Sequence, residues 1–330
     1  MNPHRTLLLT RSEVASLLNF EECVTAVEEA FGLHAAGKAA KPGLLHLESG
    51  EGEFHIKAGG LKLRKQYFAL KVNGGFFQNA ARYGMPNIQG LIVLFDGENG
   101  YPVAVMDSRE ITSKRTGAAT AVAAKYLARP DSQTATIFGC GVQGRIQLRA
   151  LVSVLPIKKV YAIGRNQSKM QDFQREMSQE LGLRVELIED PATILKGSDV
   201  CITCTPSRKP ILNAQDVAPG TFIAAVGADS PDKQELDPEL LRRNKVVVDL
   251  VEQCAHVGEL HHALNIGMKL QDVHAELGEI ILGEKTGRVS PDEIIIFDST
   301  GTSLQDVASA AAVYEKALAS NRGQAFDFFR

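Results

Sequence analysis

The sequence has few cysteines, no long apolar run and no block of charges of one sign. Its 330 residues carry 36 basic and 39 acidic side chains, so the formal net charge is only -3. Nucleic-acid binding needs a concentrated basic field, so this balance argues against a nucleic-acid partner. No apolar stretch approaches the roughly 20 residues that span a bilayer, which argues against a membrane partner. The apolar run at residues 7–9 is too short for a secretory signal, and we therefore expect a cytoplasmic protein.

The cysteines do not form the pattern of a disulfide scaffold. All five are scattered along the chain, at Cys23, Cys140, Cys201, Cys204 and Cys254. An odd number in a chain long enough to bury a large core indicates reduced thiols. Cys201 and Cys204 lie three apart on a predicted buried strand, so they face opposite sides and do not meet. No spacing of histidines and carboxylates specifies a metal site, and we expect none.

Helical spacing dominates the first 37 residues, and short strands follow. Thr10 and Ser12 are candidate N-caps of a first helix, residues 20–36 predict a second, and Gly37 ends it. Runs bounded by Gly, Asn and Pro predict strands at 44–47, 53–57, 67–72, 90–95 and 101–106. The stretch 96–100 (DGENG) predicts the hairpin turn between the last two. Because no helix separates these strands, we expect an antiparallel or mixed sheet.

Strands and helices alternate in the remainder of the chain. Helices are predicted at 118–127, 143–154, 168–181 and 304–318. Strands are predicted at 134–138, 160–163, 185–188, 200–204, 222–226, 246–248 and 294–297. This alternation is typical of a doubly wound parallel sheet. The length of the chain exceeds that of a typical single domain, so we expect two domains.

A glycine-rich turn, Gly139-Cys140-Gly141-Val142-Gln143-Gly144, joins the first strand of the alternating region to the helix that follows it. In this context the three glycines predict a dinucleotide site. Gly139 permits the tight turn, Gly141 lets the backbone approach the pyrophosphate, and Gly144 lets the helix pack on the strand. The helix N-terminus presents free N–H groups to the phosphates. The alternative is an ordinary glycine-rich turn. The strand before the turn, the spacing of the glycines and the helix after it together disfavour this alternative.

The end of the next strand, Ile163-Gly164-Arg165-Asn166, bears on which nicotinamide is bound. NAD sites place a carboxylate about 20 residues past the glycines, where it binds the ribose 2′-hydroxyl. This sequence has no carboxylate there, and Arg165 can pair with the 2′-phosphate of NADP. The alternative is a solvent-facing arginine on a loop. We therefore expect NADP(H) to be preferred, with NAD(H) as the alternative.

Four segments resemble the ornithine cyclodeaminase/mu-crystallin family. They are residues 71–74 (KVNG), 106–119 (MDSREITSKRTGAA), 226–237 (VGADSPDKQELD) and 297–301 (FDSTG). They occur in the order of the family, and the third is most similar to the alanine dehydrogenase branch. The resemblance extends over essentially the whole chain.

The resemblance implies an α/β architecture and a class of reaction. A Rossmann-type doubly wound parallel sheet in residues 116–304 binds the dinucleotide. A second, smaller α/β domain, formed by residues 1–115 and 305–330, binds substrate and carries the interface of a homodimer. The implied reaction is hydride transfer between a nicotinamide and the α-carbon of an amino acid or its imine, so the small-molecule partner is an amino or imino acid.

The resemblance implies catalytic roles for three side chains. Lys71 and Arg115 match positions that hold the substrate carboxylate, which suits the planar fork of an arginine. Asp229 follows a strand at the edge where ligands gather in doubly wound sheets. The matching aspartate of the cyclodeaminase branch handles protons at the substrate amine. The competing interpretations are a helix-end cap for Arg115, a solvated strand lysine for Lys71 and a turn residue for Asp229.

The sequence departs from the family pattern at one substrate contact. The family usually has an arginine after a proline near the first strand of the smaller domain, but residues 41–46 (KPGLLH) contain none. Strand alternation puts His55 and Lys57 on one face. We hypothesise that Lys57, aided by His46, replaces this carboxylate clamp. The alternative is a polar outer face of an edge strand.

The candidate binding residues fall into two sets. For the substrate they are Lys57, Lys71, Asn87, Arg115 and Gly301. For the cofactor they are Arg115, Thr116, Gly139, Gly141, Val142, Gln143, Gly144, Gly164, Arg165, Asn166, Thr205, Val226, Gly227, Ala228 and Ser299.

The leading prediction is an NAD(P)H-dependent imine reductase or amino-acid dehydrogenase. Its substrate is a ketimine, a 2-oxo acid with an amine, or iminosuccinate. One alternative is a cyclodeaminase that uses NAD catalytically and releases ammonia. Another is a non-enzymatic, crystallin-like NADP-binding protein, against which the presence of Lys71, Arg115 and Asp229 weighs.

Overall fold

The computed structural model describes residues 5–328, which divide into two compact units. One unit comprises the residues up to Arg115 and from Thr302 onward, and the other comprises Thr116–Gly301. Residues 1–4 and 329–330 belong to the ranges predicted for the smaller domain, and residues 1–4 also to the N-terminal stretch considered as a signal; they lie outside the described residues. Within residues 5–328, no helix combines the length and apolarity needed to cross a bilayer.

The helices and strands follow one another in a simple order. Up to residue 127 they are β1 (Thr6–Leu9), α1 (Arg11–Leu17), α2 (Phe20–Ala35), β2 (Ala39–Ser49), β3 (Gly52–Lys62), β4 (Gln66–Gly75), α3 (Asn79–Tyr83), β5 (Ile88–Asp96), β6 (Pro102–Asp107) and α4 (Arg109–Leu127). From residue 134 to residue 298 they are β7 (Thr134–Phe138), α5 (Val142–Val154), β8 (Lys159–Ile163), α6 (Gln167–Leu181), β9 (Arg184–Leu187), β10 (Val200–Thr203), β11 (Arg208–Leu212), β12 (Phe222–Ala225), β13 (Gln234–Leu236), α7 (Pro238–Arg243), β14 (Lys245–Val248), α8 (Val251–Val257), α9 (Glu259–Asn265), β15 (Ala275–Glu276), α10 (Leu277–Ile281) and β16 (Ile295–Asp298). The last are α11 (Ser303–Ala319) and β17 (Gln324–Phe326).

The two N-terminal helices begin at side-chain caps. The Thr10 side chain accepts the N–H of Glu13 ahead of α1, and the Asn19 side chain accepts the N–H of Glu22 ahead of α2. Both are capping boxes, which satisfy N–H groups that the first helical turn leaves without a partner. Gly37 follows α2 with φ +69°, a left-handed conformation that favours glycine. The predicted cap at Thr10 and the predicted stop at Gly37 are confirmed, whereas Ser12 lies inside α1.

The first unit contains a seven-stranded sheet with the order β17-β1-β6-β5-β4-β3-β2. β1 is parallel to β6, and the other neighbours are antiparallel. The prediction of a mixed sheet is therefore confirmed, as are the five predicted strands and the hairpin turn after β5. The short strands β1 and β17 were not predicted, because each is too short to show an alternating pattern.

Helix α11 packs on this sheet and forms the centre of the first unit. Residues 303–311 are all buried. A Cβ on Gly59 of β3 would collide with the Ser303 hydroxyl, so glycine lets the helix approach the strand closely. Because α11 begins against the middle of the sheet, its first turn brings polar side chains next to β4.

The second unit contains an eight-stranded sheet with the order β15-β14-β16-β12-β10-β7-β8-β9, in which all neighbours are parallel. Its central strands are buried along their whole length, as expected for a sheet covered by helices on both faces. The strand order reverses at β7, since β8 lies on one side of it and β10 on the other. The predicted Rossmann-type doubly wound sheet is confirmed.

Some predicted boundaries are wrong. The helix predicted from residue 118 begins at Arg109. The prediction missed its first turns because residues 109–117 are mostly polar and show no apolar helical spacing. The strand predicted to include Cys204 ends at Thr203. Short elements between the main strands were not predicted; they are α3, β11, β13, α7, α8, α9, β15 and α10.

Each of the five cysteines, all within the described residues, is a free thiol. The thiol of Cys204 donates to the carbonyl oxygen of Phe138 at 3.2 Å, whereas Cys201 is buried within β10. The reduced state and structural role of the cysteines stay predictions.

Candidate functional site

The glycine-rich turn lies between β7 and α5 and requires glycine at two positions. Gly139 has φ +113°, and a Cβ there would lie 2.8 Å from the carbonyl oxygen of Cys204. A Cβ on Gly144 would collide with the carbonyl oxygen of Gly139, because α5 starts close to the end of β7. Gly141, the N-cap of α5, faces open space: apart from Gly141 and its two chain neighbours, no described residue has an atom within 4 Å of its Cβ position. The turn thus leaves room for a ligand next to the backbone of Gly141 and the N-terminus of α5.

A cleft of about 820 Å³ opens beside this turn, within the second unit. It lies at the carboxyl ends of β7, β8 and β10, where the strand order reverses and where ligands of doubly wound sheets bind. Its volume is typical of a cofactor site. Six predicted cofactor residues line it: Gly139, Gly141, Gly164, Arg165, Asn166 and Thr205. None of the described residues that line it carries a carboxylate. These features fit a dinucleotide.

Two cationic side chains line the cleft after β8. Arg165 is exposed, and Lys169, which was not predicted, lies in the first turn of α6. Asn166 is the N-cap of α6, and its side-chain oxygen accepts the N–H of Lys169 at 3.0 Å. The Asn166 side chain is therefore used to begin the helix, and the charges available to a ligand here are those of Arg165 and Lys169.

Glu235, which was not among the predicted residues, holds two loops at the carboxyl edge of the sheet. Its Oε1 accepts the N–H of Thr205 at 2.6 Å and the Thr205 hydroxyl at 2.7 Å. Its Oε2 accepts the N–H of Gly227 at 3.0 Å. Burial raises the pKa of Glu235 to about 7. Two predicted cofactor residues, one after β10 and one after β12, are thus held in place by the same carboxylate.

The remaining predicted cofactor residues of the second unit lie outside the lining of the cleft. Val142, Gln143 and Gly144 form the first turn of α5, and Thr116 lies in α4. Val226 and Ala228 flank Gly227 in the loop after β12. The cofactor roles of these residues stay predictions.

The loop after β16 contains two predicted residues, Ser299 and Gly301, and is held by the buried Asp249. The Asp249 carboxylate accepts the N–H of Gly301 at 2.6 Å and the Thr300 hydroxyl at 3.0 Å. The Ser299 hydroxyl donates to it at 3.5 Å. Gly301 has φ +74°, a conformation that other residues rarely adopt. Asp249 follows β14, which is the neighbour of β16 in the sheet. The contact therefore links the carboxyl ends of these two parallel strands.

Asp229 lies in the loop after β12, at the carboxyl edge of the second sheet. Its Oδ1 is 2.5 Å from the Lys233 ammonium, and the side chain is 42% exposed. This ion pair was not predicted. It places a cation beside the candidate proton-handling carboxylate, which is open to solvent on its other side.

Lys71 and Arg115 meet in a buried cluster of the first unit. The Lys71 ammonium is 2.6 Å from Asp306 Oδ2, and the Arg115 Nε is 3.4 Å from Asp306 Oδ1. Arg115 also donates to Gln305 Oε1 at 3.0 Å. Lys71, Arg115 and Asp306 are only 2%, 6% and 1% exposed, which excludes a solvated lysine on the strand. The structure thus brings together the two residues that the resemblance assigned to the substrate carboxylate.

The environment of Lys71 favours the neutral amine. Burial lowers the pKa of Lys71, the charges of Arg115 and Lys57 lower it too, and the Asp306 carboxylate opposes them; together they bring the pKa to about 7. A lysine with a pKa near neutrality can both bind an anion and exchange a proton under physiological conditions. Asp306 and Gln305 were not predicted, since they lie in the first turn of a helix far along the chain.

Lys57 lies directly opposite Lys71 in the register of β3 and β4. Residues opposite each other on neighbouring strands point to the same face of the sheet. Lys57 is 6% exposed, and β3 is flanked by β2 and β4. The alternative of a polar outer face on an edge strand is therefore wrong. His55 lies on the same face as Lys57, as predicted, and His46 is its partner on β2.

The two asparagines of this region have different surroundings. The predicted Asn87 uses its side-chain oxygen to accept the N–H of Ala80 at 3.0 Å, which closes the loop after α3. Asn73 lies on β4 on the face of Lys71. It accepts the Ser108 hydroxyl at 2.6 Å and donates to the Thr112 hydroxyl at 3.3 Å. The side chain beside the cluster is therefore Asn73, which the KVNG segment contains.

The chain matches known proteins over almost its full length. The model of the ornithine cyclodeaminase/mu-crystallin family matches residues 4–321. The chain is similar to an archaeal alanine dehydrogenase solved as a dimer with bound NAD (43% identity, TM-score 0.93, 98% of this chain and 100% of the other). It is also similar to Thermococcus litoralis Δ1-pyrroline-2-carboxylate reductase with NADH and L-proline (35% identity, TM-score 0.91, 97% of this chain and 99% of the other). A third similar structure is the iminosuccinate reductase of Paracoccus denitrificans with NAD+ (31% identity, TM-score 0.90, 98% of this chain and 100% of the other).

Proposed function

The chain belongs to the ornithine cyclodeaminase/mu-crystallin family, and on that premise we propose that it is a nicotinamide-dependent oxidoreductase acting on C–N bonds. The family match confirms the resemblance that the four motifs indicated. In the proposed reaction an α-imino acid is reduced to an L-amino acid, or the amino acid is dehydrogenated. The names of the three similar structures, a dehydrogenase and two imine reductases, support this reaction. The observation that carries it is the buried cluster of Lys71, Arg115 and Asp306.

The cluster is suited to a substrate carboxylate because of its charge. Lys71 and Arg115 supply two basic groups, and Asp306 supplies one carboxylate, all on or against one face of the sheet. Burying more cations than anions is costly unless an anion completes the set. We assign Arg115 to bidentate binding of the α-carboxylate and Lys71 to binding and proton exchange.

Two further roles follow from the second unit. The cleft beside Gly139–Gly144 holds the dinucleotide, whose nicotinamide supplies or accepts the hydride. Asp229 carries a negative charge that stabilises a cationic substrate nitrogen and accepts or returns its proton. The catalytic assignments are therefore Lys71, Arg115 and Asp229, and the positioning assignments are Asp306, Glu235 and Asp249.

A panel of 2-oxo acids and cyclic imines tests the proposed function. Each compound is offered with ammonia or methylamine where needed, and NADH and NADPH oxidation are recorded separately. We expect net oxidation of the cofactor with at least one imino acid. Release of ammonia from a diamino acid without net cofactor turnover would instead identify a cyclodeaminase. Tight dinucleotide binding without any turnover would identify a crystallin-like protein.

The cofactor is proposed to be NADP(H) in preference to NAD(H). This preference rests on Arg165, on Lys169 beside it, and on the lack of a carboxylate among the described residues lining the cleft. The similar structures are described with NAD or NADH, which supports NAD(H) as the alternative cofactor.

Arg165→Ser is expected to lower kcat/KM for NADPH by about 10- to 100-fold and to leave that for NADH nearly unchanged. The reason is the loss of charge-assisted hydrogen bonds to the 2′-phosphate, worth about 1.5–3 kcal/mol. Steady-state rates with both cofactors measure the effect. Arg175→Ser, which removes an exposed arginine of α6, is the control. A wild-type preference for NADH would contradict the proposal.

Lys57 is proposed as the replacement for the missing family arginine, which suits a substrate with a second carboxylate such as iminosuccinate. Lys57→Ala is expected to raise KM for the imino acid about tenfold or more, because a buried cation opposite Lys71 is lost. KM for the cofactor should not change. Lys62→Ala, at the exposed end of the same strand, is the control. An unchanged substrate KM would refute the replacement.

The first unit is proposed to form a homodimer through the outer face of its sheet. Leu45, Leu47 and Leu91 are 51%, 47% and 54% exposed, and the register puts Leu45 and Leu91 in one row with Ile56 and Val72. Apolar patches of this kind usually mark interfaces. Leu91→Lys should therefore shift the sedimentation coefficient from that of a dimer to that of a monomer. Leu282→Lys, at a leucine of the second unit that is 43% exposed, should not. Monomeric wild-type protein would refute the interface.

The proposed location is the cytoplasm.

A further inference from the structure

We propose that His46, Glu53 and His55 form a binding site for a divalent transition-metal ion, with Zn²⁺ as the best-suited ion. One ligand atom from each of the three residues lies within 4.8 Å of the other two. The proposed hydride transfer does not require this ion. The site therefore goes beyond the proposed function, and no metal site was expected from the sequence.

The antiparallel hairpin of β2 and β3 explains why the three side chains converge. His46 and His55 are direct cross-strand partners, so their side chains leave the sheet on the same face. Glu53 lies two residues before His55 on β3 and therefore shares that face. Three ligands are thus presented by two paired strands, whose backbone hydrogen bonds keep the ligand spacing constant.

The distances are close to those of a coordinated ion. His46 Nε2 is 3.1 Å from Glu53 Oε2, and His55 Nε2 is 3.2 Å from Glu53 Oε1. Zinc binds nitrogen and oxygen at about 2.0–2.2 Å, so ligand atoms around a tetrahedral ion are about 3.4 Å apart. The two imidazole rings are stacked with centroids 4.6 Å apart and an interplanar angle of 25°. Both Nε2 atoms therefore face the same carboxylate, and small side-chain rotations suffice to place an ion among the three.

The ligand set selects the class of ion. Two imidazoles and one carboxylate form the protein part of open zinc sites, in which water or a ligand takes the fourth position. Such borderline donors favour Zn²⁺, Co²⁺ and Ni²⁺, whereas Ca²⁺ and Mg²⁺ require mostly oxygen ligands. The side chains are 30%, 23% and 15% exposed, in the order His46, Glu53 and His55, so an ion can enter from solvent.

Titration of the full-length, tag-free protein with Co²⁺ after chelator treatment tests the site. We expect one equivalent per chain, a visible absorption spectrum of low-symmetry Co²⁺, and its loss when Zn²⁺ is added. Proton NMR of the Co²⁺ form should show two hyperfine-shifted imidazole N–H resonances. Zn²⁺ should also raise the midpoint of thermal unfolding. Absence of saturable binding, or a spectrum without imidazole resonances, would overturn the proposal.

Substitutions locate the ion. His46→Gln, His55→Gln and the more conservative Glu53→Gln should each weaken Co²⁺ binding at least tenfold, since even loss of outer-shell partners costs about 10- to 100-fold. His274→Gln is the control, because His274 binds the carbonyl oxygen of Thr286 in the second unit. If the control weakens binding as much as the three variants do, or if the three leave it unchanged, the site is refuted. If the histidine variants fail to fold, Glu53→Gln and the imidazole resonances decide.

Discussion

Lys71→Met is expected to lower kcat/KM for imine reduction about 1000-fold while the chain remains folded. The ammonium both binds the substrate carboxylate and exchanges a proton, and general acid–base groups contribute about 10²- to 10⁴-fold. Methionine fills a similar volume, and Asp306 keeps the Arg115 guanidinium as a partner. Steady-state kinetics measure the loss, and circular dichroism measures the fold. Lys62→Met, an exposed lysine of β3, should have wild-type activity. A Lys71→Met variant with activity within tenfold of wild type would remove Lys71 from the mechanism.

The pH dependence that follows from Lys71 has a defined sign. Its pKa is about 7 in the folded protein because of burial, and about 10.4 in the unfolded chain. Below pH 7 the amine is protonated, so reduction should be fastest there and kcat/KM should fall as the pH rises through 7. Between pH 7 and 10.4 the unfolded chain binds more protons than the folded protein. The wild-type free energy of unfolding should therefore rise over this range relative to that of Lys71→Met.

Asp306→Asn is expected to shift the pH profile of kcat/KM to lower pH by about one to two units. The Asp306 carboxylate is the group that raises the pKa of Lys71 against burial, Arg115 and Lys57, and an opposite charge at this distance typically changes a pKa by 1–3 units. Loss of the carboxylate charge also leaves Lys71 and Arg115 buried without their anionic partner. We therefore expect the free energy of unfolding to fall by about 3 kcal/mol. Profiles of rate against pH and urea unfolding measure the two effects.

A carboxylate elsewhere on the same helix provides the control for Asp306. Glu315→Gln on α11 removes the negative charge of the side chain that accepts the Tyr67 hydroxyl, 3.3 Å away, and leaves the Lys71 cluster intact. It should not move the pH profile. If Asp306→Asn lowers the rate without moving the profile, Asp306 acts only in packing and does not position the charge of Lys71.

Local patterns allowed most of the fold to be predicted. The glycine turn, the cap at Thr10 and the strands around Lys57 depend on residues a few positions apart, and the period of two along a strand correctly placed Lys57 and His55 on one face. The start of α4 was missed because its first residues are polar, so that burial of its later alanines, rather than a local pattern, determines the helix.

The partners of the site residues could not be predicted in the same way. Asp306 meets Lys71 only because α11 packs on β4, more than two hundred positions away in sequence. Glu235 lies on the three-residue strand β13, which has no pattern of its own, yet it holds Thr205 and Gly227. Asn87 matched a family position, but its side chain closes a loop. Positions can be inferred from a motif, whereas contacts depend on tertiary packing.

Transfer of deuterium from the cofactor tests the central proposal most directly. The enzyme is incubated with the reduced nicotinamide dinucleotide carrying deuterium at both C4 positions and with the best imino acid of the panel, and the product is analysed by mass spectrometry and proton NMR. We predict that one deuterium appears at the α-carbon of the amino acid for each cofactor oxidised. A product without label at the α-carbon, or no net cofactor oxidation with any imino acid, would contradict the account.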